Sequence, residues 1–471
     1  MEQILRDEEP IAALASGRGP SPIAIIRVSG QGSHGLLSRF FRHDLDPAQN
    51  VSDKQKERKL VKLRFVDPET EEVVDDILTV FFFAPRSYTG QDAAELFCHG
   101  SPYIIQRILS ALYRNGFREA DPGEYTRRAF LNGKLDLTEA EGINALIQAE
   151  SHQQWLTASK LIEGRLSQRI QDLKARLIDA MSFLEARIDF PEEDDLDDVS
   201  LDLVKKKVTE VFDATNRLAE SYVDGRIASE GLAVILFGPP NVGKSTIMNT
   251  LLGKERSIVT PIAGTTRDYI EERCLLKGRY FRLFDTAGFR EHPDEVEKIG
   301  IEYAQKLARD ADLVLVILSQ EVHLSSVQRL LEAISALNPR MVRVLINKSD
   351  LGKPDWIKAF SSEPLFEKLI EISCTTGNGF DELKESLVSI IDSSLARLGD
   401  DFFITSARHL DALEKAKASF DAFFSALQEG RFEECLAFEL QQAAKALGTI
   451  IGEVGAEDIL DSIFNRFCIG K

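Results

Sequence analysis

Apolar residues recur along the chain with changing periods, and the changes divide it. Up to about residue 130, strand-length apolar runs at 23–28, 60–66 and 77–83 alternate with turns bearing Gly, Pro and Ser. That is the pattern of a mixed α/β segment. From about 140 the period lengthens. Leu166, Ile170, Leu173, Leu177, Met181, Leu184 and Ile188 fall at steps of three or four, and no Gly or Pro interrupts 165–190. This spacing predicts one long amphipathic helix. Pro191 closes it, and the acidic run 192–198 favours the start of a following helix. From 231, strand runs at 233–237, 281–284, 313–318, 342–346 and 369–373 alternate with helical stretches, the rhythm of a doubly wound α/β domain. Beyond about 400 the helical period returns, through Leu410, Leu413, Phe420, Phe424 and Leu427, then Leu436, Leu440, Ala444, Leu447 and Ile451.

Helical sequence thus flanks an α/β module on both sides. Domain termini often lie close together, so the economical expectation is a module inserted into one helical domain, with two separate helical domains as the alternative. The predicted organisation is multidomain, α/β and all-α. It comprises an N-terminal α+β domain (1–130), a first helical part (131–228), a P-loop α/β domain (229–392) and a second helical part (393–471). A length of 471 residues suits about three domains.

Composition narrows the function classes. The net charge is −19, which argues against a global electrostatic grip on nucleic acid and requires any such contact to be local. Residues 1–130 carry net −2 and 229–392 net −4, so −13 falls on the helical remainder; its plain reading is a solvated acidic surface. Lys205, Lys206 and Lys207 form only a weak basic cluster. Five scattered cysteines without CxxC or zinc spacing point to a reducing compartment. The acidic N-terminus lacks the apolar stretch of a targeting peptide, and the uncharged run 231–243 is too short to span a bilayer, so no membrane role is expected.

The sharpest chemical signal is Gly238-Pro-Pro-Asn-Val-Gly243-Lys244-Ser245, between an apolar strand and a helical run. Glycines there let backbone N–H groups close on phosphate oxygens, and the helix N-terminus adds partial positive charge. Lys244 should bridge the β- and γ-phosphates, and Ser245 should ligate Mg²⁺. Three further pieces follow in order. Asp285-Thr286-Ala287-Gly288 ends one strand run, with the carboxylate near Mg²⁺ and the Gly288 N–H near the γ-phosphate. Asn347-Lys348-Ser349-Asp350 ends another. Asp350 can accept from guanine N1–H and the exocyclic amine, a donor pair that adenine lacks, so GTP is expected over ATP. Ser373-Cys374-Thr375 ends the last and can offer a backbone donor to guanine O6. Four such motifs in register predict a GTPase domain.

Between phosphate loop and Asp285 lies Ala263-Gly264-Thr265-Thr266. A threonine hydroxyl there, Thr266 by position, can complete the Mg²⁺ shell. Phe289 stands after Gly288, where many small GTPases place a glutamine that orients water. Another group must do that work; Glu291, Asp294, Glu295 and Glu297 are candidates. Asn241 is either an ordinary turn residue or a ligand to a monovalent cation beside the phosphates, in the place of an arginine finger.

These motifs, together with others outside the α/β module, resemble the MnmE (TrmE) family of tRNA-modifying GTPases. The resemblance rests on Ala24-Ile-Ile-Arg27-Val-Ser-Gly30, Tyr88-Thr-Gly-Gln-Asp-Ala-Ala-Glu95-Leu, His99-Gly100, the run from Pro122 through Lys134, Ile188-Asp-Phe-Pro191, and the terminal Phe467-Cys468-Ile469-Gly470-Lys471. It spans essentially the whole chain. It implies an N-terminal folate-binding and dimerising domain, a helical domain and an inserted Ras-like G domain. It also implies a homodimer, a cytoplasmic setting and an FAD-dependent MnmG-like partner. The pair would modify carbon 5 of the wobble uridine of certain tRNAs. A tetrahydrofolate one-carbon unit (5,10-methylene or 5-formyl) would supply the methylene, and glycine or ammonia the nitrogen.

By the same resemblance, folate falls on Arg27, Glu95, Lys134 and Lys471, cations for the glutamate tail and a carboxylate for the pterin amines. Read alone, each is an ordinary surface charge. GTP or GDP falls on Asn241, Val242, Gly243, Lys244, Ser245 and Thr246, on Thr260, Pro261, Ile262, Ala263, Gly264, Thr265 and Thr266, and on the three later motifs. K⁺ falls on Asn241, Thr260, Ile262 and Thr265, and Mg²⁺ on Ser245 and Thr266. Glu297 becomes the water-orienting acid, acting with Lys244, Thr266 and Gly288. Cys468 is a candidate nucleophile, against the plain reading of a small buried side chain beside Phe467 and Ile469. Two departures stand out. Ser373-Cys374-Thr375 replaces the family's Ser-Ala-Lys or Ser-Ala-Arg and loses a basic side chain near the base, which implies weaker guanine affinity. Gln91 stands where an acidic residue often follows Thr-Gly. The competing readings are a GTP-switched assembly factor, disfavoured because no basic RNA-binding module is evident, and an ATP-driven motor, disfavoured by Asn347-Lys348-Ser349-Asp350.

Overall fold

The computed structural model describes residues 8–17, 19–42, 57–189, 197–253, 270–285, 311–337, 339–360, 363–399, 403–453 and 457–470. The chain divides into two compact units. One comprises Met1–Asn144, Leu161–Gln171 and Leu447–Lys471, the other Ala145–Lys160 and Asp172–Ala446.

The first unit is built on a seven-stranded sheet of β1 (Ile11–Leu14), β2 (Ser21–Ser29), β3 (Phe41–Arg42), β4 (Leu60–Val66), β5 (Val73–Phe82), β6 (Ala93–Gly100) and β7 (Arg118–Glu119), in the order β3-β4-β5-β6-β2-β1-β7. All pairings are antiparallel except β1–β7. Alternation assigns the two faces. Ala24, Ile26 and Val28 of β2, Ala94, Leu96 and Cys98 of β6, and Phe65, Ile77 and Phe81 are buried with Ile105, Ile108, Ala111 and Leu112 of the helix Pro102–Arg114. Each Val, Leu, Ile or Phe among them contributes about 1.5–3 kcal/mol on leaving water, and the alanines less. The opposite face pairs Arg27 with Glu95 and Ile25 with Phe97, and continues through Val80, Leu78 and Leu60. Leu60 is 58% exposed and Leu78 39%.

The C-terminal segment returns to this unit. Phe464 and Phe467 pack with Leu137, Ala140 and Leu460, and Gly123 is required under them, because a Cβ there would lie 2.6 Å from Phe464 O. Gly470 adopts φ 94° and sits so close to β1 that a Cβ would meet Leu14 O at 2.2 Å. The last turns of the chain are thereby keyed to the first strand. Behind β1, the buried carboxylate of Glu124 accepts from Arg128 and Arg118. Burial would raise its pKa; the two guanidiniums outweigh burial and hold it low. Gln91 Oε1 accepts from Arg128 at 3.0 Å, so this departure from the family pattern is absorbed by a hydrogen bond.

The second unit contains a six-stranded sheet of β8 (Leu232–Phe237), β9 (Ile270–Leu276), β10 (Arg279–Asp285), β11 (Leu313–Leu318), β12 (Val342–Ile346) and β13 (Ile370–Glu371), ordered β13-β12-β11-β8-β10-β9. Only β9–β10 is antiparallel. β11 is buried along its whole length, and β8 to its last residue, as parallel strands covered on both faces must be. β13 is shorter than the predicted 369–373 run: its ladder ends at Glu371, and Ile372 still donates to Ile346 O. The strands β1, β3, β6, β7 and β9 carried no separate prediction.

The helices Asp197–Glu220 and Ala407–Gln428 pack through Phe212, whose ring lies 5.9 Å from Phe420 and 5.7 Å from Phe424. Between them the α/β module is inserted. Its entry helix Tyr222–Glu230 and its final helix Phe380–Leu398 are joined by Arg397, which donates to both carboxylate oxygens of Asp224 at 2.8 and 2.6 Å. Gly225 lets the exit segment approach, since a Cβ there would meet Ile404 O at 2.1 Å. The two chain crossings therefore lie side by side, which is the geometric condition for an insertion. The predicted helix over 165–190 is the observed Arg165–Asp189.

Candidate nucleotide and Arg27 sites

β8 delivers the chain to the phosphate loop. Gly238 leaves the strand so close to β11 that a Cβ would lie 2.2 Å from Ile317 O. Asn241 and Gly243 adopt φ 64° and 95°. Gly243 precedes the helix Lys244–Leu252, whose free N–H groups face the loop. Lys244 folds back over the loop, and Nζ donates to Gly238 O at 2.8 Å and Pro239 O at 2.9 Å. Burial lowers the pKa of its ammonium, and the Asp285 carboxylate opposes this. An ammonium so placed can exchange loop carbonyls for phosphate oxygens.

The parallel register sets Asp285 beside Leu236 at the mouth of the loop. Ser245 Oγ donates to Asp285 Oδ2 at 2.8 Å. A hydroxyl and a carboxylate in contact fit a hard divalent cation that takes oxygen ligands and shares its shell with phosphates. The sequence placed these two residues forty positions apart in one role, and the fold brings them together.

Asn347 sits between the motifs. Its N–H donates to Leu318 O, and Nδ2 donates to Val242 O at 2.8 Å. A Cβ on Gly243 would lie 2.3 Å from that Nδ2. Asn347 is thus a brace between the base-side loop and the phosphate loop, a role the motif reading had not assigned. Lys348 turns through φ 61° and pairs with Glu321 at 2.6 Å, and Ser349 N donates to Ile372 O. Asp350 is exposed and accepts from Ser373 Oγ. Cys374 is half-buried, and its thiol contacts Asn347 Oδ1 at 3.5 Å. Burial pushes that thiol up, against its hydrogen bonds with Asn347 and Thr250. The cysteine that replaces the family's alanine therefore packs on the Asn347 brace. Thr246 and Thr375 are exposed.

Thr260, Pro261, Ile262, Ala263, Gly264, Thr265, Thr266, Thr286, Ala287, Gly288 and Glu297 lie outside the described residues, as does Lys471.

A second cluster lies on the open face of the first unit. Arg27 Nε and Nη2 donate to Glu95 Oε1 at 3.0 and 2.8 Å, and Nη1 donates to Gly470 O at 3.2 Å. The guanidinium carbon lies 5.8 Å from the Tyr88 ring centre and 5.7 Å from that of Tyr125. Neither tyrosine had been singled out, although Tyr88 opens one of the family motifs. Lys134 is exposed and donates to Pro85 O at 3.0 Å. Cys468 is exposed, contrary to the buried reading, while Phe467 is buried.

A "MnmE helical domain" family model matches residues 137–468, and a "GTP-binding protein TrmE N-terminus" model matches residues 10–134. This chain belongs to the MnmE family. Among its relatives, the tRNA modification GTPase MnmE of Moorella thermoacetica is 38% identical over 470 residues, covering 98% of this chain and 100% of the relative. That of Aquifex aeolicus is 37% identical over 472 residues, with 98% and 100% covered, and that of Alkaliphilus oremlandii 36% over 464 residues, with 98% and 99% covered. Membership of the MnmE family makes the chain a GTPase of tRNA modification, and the Asn347 brace, the Lys244 ammonium and the Ser245–Asp285 contact are how its described residues frame the nucleotide.

Asp350→Asn tests the base-reading role. It removes the charge and turns an amide N–H toward the exocyclic amine of guanine, a cost of about 3 kcal/mol, or roughly 10²-fold in GTP affinity. The same amide suits the carbonyl that xanthine carries at that edge. Competition of GDP and XDP against a fluorescent nucleotide should show the preference reversed; unaltered GDP affinity would remove Asp350 from the base site.

Proposed function

We propose that this GTPase works with an FAD-dependent MnmG-like partner to modify carbon 5 of the wobble uridine of certain tRNAs, drawing a one-carbon unit from tetrahydrofolate. The observation that carries this reading is the convergence of Arg27, Glu95 and the C-terminal Gly470, hundreds of residues apart in sequence, on one part-exposed cluster. Its charge and aromatic flanks suit a pterin cofactor, and Lys134 and Lys471 belong to the same proposal. A homodimer that pairs the open faces of the seven-stranded sheet is part of the proposal; it would cover Leu60 and Leu78, which are exposed on that face. In the G domain, Mg²⁺ would be held by Ser245 and Thr266, and K⁺ by Asn241, Thr260, Ile262 and Thr265. Among the described residues no helix is long and apolar enough to cross a membrane; a cytoplasmic setting is part of the proposal.

A reconstituted assay tests it. Partner, tRNA, GTP, methylenetetrahydrofolate and glycine or ammonium should yield modified wobble uridine by nucleoside analysis. Omitting folate or partner should abolish product. Replacing KCl by NaCl at equal ionic strength should slow GTP turnover, because the smaller cation cannot span the same oxygen ligands. Undiminished product without folate, or equal turnover in both salts, would remove the corresponding element.

A further inference from the structure

The side-chain amide of Asn347 has two ends of nearly the same shape, one a donor and one an acceptor, so its neighbours decide which way it faces. Val242 O is an acceptor and takes Nδ2 at 2.8 Å. Oδ1 is then turned to the other side. Asn347 is buried, so an unmatched Oδ1 would be costly. Among the described residues the donor that reaches Oδ1 is the thiol of Cys374, its sulfur 3.5 Å away.

The surroundings fix that thiol. Cys374 directly follows Ser373, itself buried, whose hydroxyl donates to Asp350 Oδ1. Two consecutive side chains thus hold the first and last residues of Asn347-Lys348-Ser349-Asp350. The sulfur also lies against Thr250, in the helix Lys244–Leu252 that leaves the phosphate loop. Burial raises the thiol pKa, so at neutral pH the proton needed for donation stays on sulfur.

We propose that Cys374 is a positioning residue for the guanine nucleotide, its S–H holding the Asn347 amide in the orientation that braces the phosphate loop. With the amide turned over, Oδ1 would face Val242 O, acceptor against acceptor, and the brace would be lost. The phosphate loop is sensitive to this because it runs so close: a Cβ on Gly243 would lie 2.3 Å from Nδ2. An alanine at position 374 gives Oδ1 no donor. The departure from the family pattern at 373–375 therefore has two opposed parts. The basic side chain absent at Thr375 loosens the hold on the base in the family reading, and the thiol of Cys374 stiffens the frame that carries Lys348 and Asp350.

Release of a fluorescent GDP analogue from the full-length protein tests this. Cys374→Ala, although it restores the family's residue, should speed release and weaken GDP by about 3–10-fold, the scale of one neutral hydrogen bond. Cys374→Val fills the space without a donor and should behave like the alanine variant. Cys374→Ser keeps a donor and should recover most of the loss. In an Asn347→Ala background, Cys374→Ala should have no further effect, because the two side chains act as one unit. Wild-type affinity in Cys374→Ala or Cys374→Val, no recovery in Cys374→Ser, or equal losses with and without Asn347 would each overturn the proposal. The serine rescue needs no change at Asn347, so it decides the matter even where Asn347→Ala impairs folding.

Discussion

Replacing Glu297 by alanine is expected to slow GTP turnover by about 10²–10⁴-fold, the contribution of a positioned acid–base group, while GTP affinity stays near that of the wild type. The expectation starts from Phe289. A phenyl ring after Asp285-Thr286-Ala287-Gly288 cannot orient the attacking water as a glutamine amide does. The phosphate loop itself contains no arginine. In the proposed mechanism, stabilisation of the transition state would rest on a cation beside Asn241 and on a carboxylate, Glu297 in the family reading. Holding the groups around a γ-phosphate in one conformation has an entropic cost. A second G domain pressed against the first would meet that cost and exclude water from the γ-phosphate, which strengthens the electrostatics. Single-turnover hydrolysis and sedimentation with GDP, aluminium fluoride and K⁺ check both halves. Normal turnover in Glu297→Ala, or G domains that do not pair in the analogue complex, would sink this mechanism.

The second large effect is on Lys244. Lys244→Ala is expected to lower kcat for GTP by about 10³-fold, the upper range for loss of one preorganised donor to developing charge. Two features of the loop support so large a value. Lys244 is 9% exposed, so its field acts through little water. It is also held in advance by Gly238 O and Pro239 O, so little reorganisation separates its resting place from the phosphates. Steady-state kinetics, with circular dichroism to confirm the fold, would measure the loss. A decrease under tenfold would mean that the loop N–H groups and Mg²⁺ carry the charge without Lys244.

Much of the nucleotide site was legible before any coordinates, for a physical reason. Phosphate binding uses backbone N–H groups in a tight turn, so its demands on glycine, lysine and serine are local and fixed in spacing. The long helix was legible because a single apolar stripe repeats without interruption from Leu166 to Ile188. Short strands were less so. β7 and β13 are two residues each, too few for a period to show, and their existence depends on partners far along the chain. β6 alternates buried Ala94, Leu96 and Cys98 with Glu95, Phe97 and His99, and the polar members mask the run.

By itself the sequence determined the order of domains and the phosphate loop with Lys244 and Ser245, and it set the expectation that Asp350 reads guanine, because each follows from contiguous residues. Tertiary structure decided what no spacing encodes. It set Asp285 against Ser245, made Asn347 a brace on Val242 O, and brought Gly470 to Arg27 across 443 positions. It also decided that Arg27 and Glu95 are partners rather than two separate charges. Such contacts are fixed by strand register and by where a glycine lets two backbones approach, as at Gly243 and Gly470. Those are properties of the packed chain, since a register shift of one residue would turn Glu95 into the core and leave Arg27 without its carboxylate.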